Sequence, residues 1–163
     1  MRSLPIAVLI AVAALLVSPA GAFEAGALEI QVQPDGDAVA SLSYGLNWFE
    51  RAGVYLGIAS PSAELGAVLS GVVGREVRVT GVDMHRAVIV IPDFATVSST
   101  DERTVYRTSG FDFTRFSSVL AGYWFAPLVS PDFSPSSITL VFPDGFTEHL
   151  PGGTRIPAVM HTA

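Results

Sequence analysis

Apolar and polar residues alternate along much of the chain. Leu28, Ile30 and Val32 alternate with Glu29, Gln31 and Gln33, the period of a half-buried strand. Pro34-Asp35-Gly36-Asp37 is turn chemistry, because proline fixes φ and glycine accepts positive φ. From Ala38 to Leu46 the alternation resumes, with Ala40, Leu42, Tyr44 and Leu46 on the apolar parity, so the two segments predict a β-hairpin. Residues 47–59 fit two readings. Gly53 and Gly57 weaken a helix, and Val54 to Ile58 suit a buried strand.

The period then changes. Ser60-Pro61 opens a helix as cap and first residue, with Glu64 in the first turn. Leu65, Val68, Leu69 and Val72 form one apolar stripe, and Gly71 and Gly74 end it. Arg75 to Val82 alternates again, with one wet face. Ala87 to Ile91 is apolar throughout and β-branched, which predicts a central strand ended by Pro92-Asp93. Phe94 to Val97 continues the sheet after a kink, Ser98 to Glu102 turns, and Thr104 to Thr108 is a short strand. Asp112 caps a second helix striped by Phe116, Val119, Leu120 and Tyr123 and stopped by Pro127. Ile138 to Phe142 and Phe146 to Leu150 form a second hairpin across Pro143-Asp144-Gly145. This order predicts an α+β fold: a mostly antiparallel sheet with terminal β-hairpins and two covering helices. The expected domain is 23–150, followed by a loose C-terminal tail, 151–163, in which Ile156, Val159 and Met160 are able to dock.

The N-terminus belongs to targeting rather than fold. Met1-Arg2 is a positive start, Ile6 to Val17 is wholly apolar, Ser18-Pro19 breaks the run, and Ala20-Gly21-Ala22 presents small residues. Residues 1–22 therefore predict a secretory signal cleaved between Ala22 and Phe23. The other reading is an uncleaved anchor, for which the apolar run is short of the roughly 20 residues a span needs. No second such run follows, so the mature chain is not expected to span a membrane. Localisation is thus expected to be secreted or on the cell-envelope exterior.

Composition narrows the chemistry. The absence of cysteine excludes thiol catalysis, thiolate zinc sites, iron–sulfur clusters and a cysteine-linked lipid anchor. All nine basic residues are arginine, against fifteen acids, for a net charge of −6. Such a domain is repelled by phosphate backbones, so nucleic-acid binding is not expected. The lack of lysine also excludes Schiff-base chemistry and a phosphate-loop lysine.

No motif assigns catalytic, cofactor or metal residues. Asp35-Gly36-Asp37 invites a calcium reading, but Ala38, Val39 and Ala40 stand where further oxygen ligands belong. His85, His149 and His161 have no metal-binding spacing. His161 lies near the chain end, where order is usually poor. Ser117-Ser118 and Ser134, Ser136 and Ser137 lack a nucleophile elbow. Trp48-Phe49 and Tyr123-Trp124-Phe125 are clustered aromatics that either straddle a sheet or form an exposed protein- or sugar-binding patch. Asn47, followed by Trp-Phe, is no glycosylation acceptor.

Asp35-Gly36-Asp37-Ala38 followed by an alternating strand, with Phe142-Pro143-Asp144-Gly145 near the end, resembles small exported domains of uncharacterised archaeal families. The likeness covers two turns and carries no activity or site residues. Three functions follow as expectations. The first is a non-catalytic exported domain binding another envelope or secreted protein through exposed aromatics. The second is an extracytoplasmic hydrolase, which requires two or more of His85, Asp93, Asp101, Glu102, Asp112 and His149 in one cleft. The third is a subunit that self-associates through an edge strand, with the terminal hairpins as its natural candidates.

Overall fold

The computed structural model describes residues 24–45, 69–83, 85–115, 118 and 132–163. The expected signal, 1–22, lies outside them. Among the described residues the strands are β1 (Glu24–Val32), β2 (Ala38–Gly45), β3 (Arg78–Val82), β4 (Arg86–Ile91), β5 (Ala95–Ser99), β6 (Thr104–Thr108), β7 (Phe111–Asp112), β8 (Ser137–Val141), β9 (Thr147–Pro151), β10 (Arg155–Ile156) and β11 (Met160–Thr162). They build a six-stranded sheet ordered β3-β4-β2-β1-β8-β9, a three-stranded sheet ordered β11-β6-β5 and a two-stranded pair, β10-β7.

The α+β expectation is overturned. Among the described residues the structure is 55% strand and 8% helical, mostly β rather than a sheet with two covering helices. Residues 69–73 are helical, and Leu69 and Val72 of the expected stripe are buried. Gly74, at φ 74, ends the helix and donates to the Ser70 carbonyl at 2.9 Å. The start of that expected helix, 60–68, lies outside the described residues. Asp112 accepts the Thr114 N–H at 2.9 Å, as a helix cap does, while its own backbone pairs with Arg155 of β10. Thr114, Arg115 and Ser118 are helical, and the expected stripe of Phe116, Val119, Leu120 and Tyr123 lies outside the described residues. Among the described residues the large sheet is covered by the three-stranded sheet together with Leu69 and Val72 of the short helix. Tyr106 of β6 packs on Phe142 with ring centroids 6.1 Å apart.

The alternation read from sequence fixes which face is buried. Across the large sheet, Ile89 opposes Ala40, Ala40 opposes Ile30, and Ile30 opposes Leu140. All four are buried, as are Val32, Ala38 and Ile138. These side chains join Phe94, Ala95, Tyr106, Phe113 and Ile156 in one core. All pairings in the large sheet are antiparallel except β1 with β8, which run parallel.

Two hairpin turns share one chemistry. In Gln33-Pro34-Asp35-Gly36-Asp37, Gln33 N–H donates to the Asp37 carbonyl at 2.8 Å and Gly36 N–H to the Gln33 carbonyl at 3.0 Å. In Phe142-Pro143-Asp144-Gly145-Phe146 the corresponding bonds are 2.8 and 2.9 Å. The glycines sit at φ 94 and 87. This is a turn closed by a left-handed residue, the geometry that favours glycine at that position.

Residues 94–97 do not continue the first sheet. Asp93, at φ 51, turns the chain into the second sheet. The corner is held from three sides. Asp37 Oδ1 accepts the Asp93 N–H at 2.9 Å, Gly36 accepts the Ala95 N–H at 2.8 Å, and Arg75 donates to the Asp93 carbonyl. Nor is 151–163 an unpaired tail. Ile156 is buried, β10 pairs with β7, and β11 pairs with β6. Thr108, 2% exposed, ties this segment down: its hydroxyl accepts the Val159 N–H at 2.9 Å and donates to the Val159 carbonyl.

Glycine replacements separate these roles. A Cβ at Gly36 would lie 2.3 Å from the Ala95 carbonyl oxygen, and the position has positive φ. Gly36→Ala is expected to destabilise the chain by more than the roughly 1–2 kcal/mol of backbone strain alone. Gly71, in the helix, faces open space: a Cβ there would meet nothing within 4 Å. Gly71→Ala is expected to stabilise by about 0.5–1 kcal/mol. Urea denaturation of both variants checks the contrast.

Candidate functional site

A hydrolase would need two or more of six residues in one cleft, and these six stand in several different turns and strands. Asp93 stands at the β4–β5 corner, and Asp101 and Glu102 lie exposed in the β5–β6 turn. His85 is in the β3–β4 turn, where its N–H donates to Asp83 and its carbonyl accepts from Tyr44. Asp112 pairs with Arg155 at 3.0 Å, and His149 meets the Thr139 hydroxyl at 3.3 Å. No two of the six are hydrogen-bonded to each other. Among the described residues no group of three or more His, Asp or Glu is placed to hold a metal ion. Trp48, Phe49, Tyr123, Trp124 and Phe125 lie outside the described residues.

Most aspartates are engaged in building turns. Oδ1 of Asp35, Asp83, Asp112, Asp132 and Asp144 each accepts a backbone N–H two residues on, from Asp37, His85, Thr114, Ser134 and Phe146. Short acidic side chains suit this bond, which mimics a turn of the main chain. Thr114 holds the Asp112 carboxyl below the usual carboxylate range through its hydroxyl and its N–H, and Arg155 adds to the effect. Ser134 does the same for Asp132.

Asp144 does more than build its turn: it also meets a histidine ring. Its Oδ1 stays with the turn while Oδ2 meets His161 Nε2 at 2.7 Å. The imidazole stacks on Phe146, with centroids 4.3 Å apart and planes 5° apart, and its centroid lies 4.7 Å from that of Phe142. The side chain of His161 is 12% exposed. This residue, expected to be poorly ordered, is therefore pinned between the turn of one sheet and the edge of the other. An aromatic stack of this kind is worth about 0.5–1.5 kcal/mol beyond its buried area. The only local signal was the apolar spacing of Ile156 and Val159, which hinted that the segment docks.

An imidazole–carboxylate pair is the start of a general base, yet catalysis needs a group for it to activate. Among the described residues no hydroxyl is bonded to the His161 ring. The arrangement is a clasp joining two sheets, with Phe146 at its rim. Phe146, 43% exposed, and Met160, 64% exposed, are the large apolar side chains left in solvent among the described residues. No described helix is long and apolar enough to cross a membrane.

The clasp has a sign in pH. The His161 ring, and after it the Phe146 N–H, hold the Asp144 carboxyl below its usual range. The unfolded chain then takes up the proton first. The contribution is complete above the ordinary carboxylate range and disappears as pH falls through the depressed folded value. Asp144→Asn is expected to lower stability at neutral pH and to flatten the acid side of the stability–pH curve, measured by urea denaturation at stepped pH. Comparison with known proteins finds no matching family model, no matching curated protein and no matching solved structure.

Proposed function

We infer that this chain is an exported, non-catalytic domain that binds another envelope or secreted protein. It reaches its compartment through the signal at residues 1–22, cleaved after Ala22. The observation that supports the reading is the use of the aspartates: five are spent on backbone turns rather than gathered in a cleft. The hydrolase reading needs a convergence that the dispersed positions of Asp93, Asp101, Glu102, Asp112, His85 and His149 do not supply. Phe146 and Met160 offer apolar contact area beside the clasp, the kind of side chain that interfaces bury.

Native mass spectrometry of the protein gently released from its source cells tests this. The expected species begins at Phe23 and carries a bound protein. Phe146→Ser with Met160→Ser is expected to weaken that complex about tenfold or more, with a lower thermal midpoint from the lost stack on His161 but an unchanged circular dichroism spectrum. A bare chain in every preparation would sink the partner-binding reading. A chain that still carries residues 1–22 would overturn export by cleavage.

A further inference from the structure

Among the described residues the large sheet ends in β3 and β9. β3 is bulged between Val79 and Gly81, which twists an edge away from pairing. The first hairpin, β1–β2, is central and offers no edge. β9 differs: its register with β8 is unbroken from Val141↔Thr147 to Ser137↔Pro151. Phe142 N–H donates to the Phe146 carbonyl at 2.8 Å. Alternation of an antiparallel ladder then turns the backbone groups of Glu148 and Leu150 towards β8 and those of Thr147, His149 and Pro151 outward. All three outward residues are exposed. Pro151 fits this placement, because its missing N–H falls on the side where the ladder has no need of it.

We propose that β9 pairs with β9 of a second copy of this chain, antiparallel about a twofold axis at His149, joining two six-stranded sheets edge to edge. The edge is self-complementary in this register. His149 exchanges both backbone bonds with the second copy's His149. Thr147 N–H donates to the second copy's Pro151 carbonyl, and the reverse bond follows by symmetry. Every outward N–H of the strand is thereby satisfied, since the one position lacking a donor is proline. On one face Glu148 meets the second copy's Leu150, so no carboxylates oppose each other. That face also carries the exposed Phe146 to the margin of the joint, beside the second copy's Pro151-Gly152, which gives a use to an apolar ring otherwise left in water.

On the opposite face the two His149 rings lie side by side. Each has Thr139 as its neighbour on β8, with Glu29 beyond it on β1 as the next charged group along that row.

The chain has no cysteine, so one introduced thiol reports on one contact. In a directly opposed, hydrogen-bonded antiparallel pair the Cα atoms are about 5.5 Å apart, within disulfide range. His149→Cys in the full chain is expected to oxidise to a covalent dimer, and Ser99→Cys on the edge of β5 to stay monomeric. Thr147→Pro removes one outward N–H without touching the β8 ladder, and is expected to weaken association about tenfold or more with an unchanged circular dichroism spectrum. Sedimentation of the unmodified chain is expected to show a dimer. A monomer at millimolar protein would overturn the proposal. So would a dimer that His149→Cys fails to cross-link, or that Thr147→Pro leaves intact.

Discussion

The parallel pairing of β1 with β8 is the constraint on which the rest of the structure depends. It places Leu28 beside Ile138 and Ile30 beside Leu140, and so makes β1 a strand with neighbours on both sides. Ile138 and Leu140 are 1% and 0% exposed, so this seam is as dry as any part of the molecule. Everything after it hangs from that join. The turn following β8 sets Phe142 against Tyr106 of the second sheet and brings Asp144 to His161. Without the seam the β8–β9 hairpin would have one short partner and no core, and an isolated hairpin is at best marginal in water.

The two Pro-Asp-Gly turns show how one local solution acquires different long-range uses. Both close with the same backbone bonds and the same left-handed glycine. In the first, the glycine carbonyl and the following Asp37 receive the chain as it crosses between sheets at Asp93 and Ala95. In the second, the aspartate itself reaches out, through its second oxygen, to the last strand. Turn residues here also act as the bolts between layers, which is why so much of the carboxylate inventory is occupied.

The sequence made much of the strand content legible, because the two-residue period is a property of the strand itself. β1, β2, β4, β6, β8 and β9 all fall where alternation or an apolar β-branched run places them. What could not be read was anything set by distant partners. Proline and glycine reveal a turn between neighbours, but nothing local marks Ile30 as the parallel companion of Leu140. The helical stripe through Leu69 and Val72 was real and reaches the core, but much of the remaining cover comes from strands. Asp112 carries a cap's chemistry at the end of a strand, accepting the N–H of Thr114 where the backbone turns helical. His161 gave no sign of its role, because both its stacking partner and its carboxylate belong to a different hairpin.

The β1–β8 seam also has a cost in time. Its strands come from opposite ends of the described chain, so the loop that closes it is long and the entropy of closure must be met before the contact is rewarded. Contacts of that kind slow folding. β1, β2, β4 and β3 can assemble early as adjacent antiparallel pairs, leaving the other edge of β1 open until β8 is made. For that interval a strand carrying Leu28, Ile30 and Val32 into the core presents an unpaired ladder, and the chain is at its most exposed to aggregation just before the seam shuts.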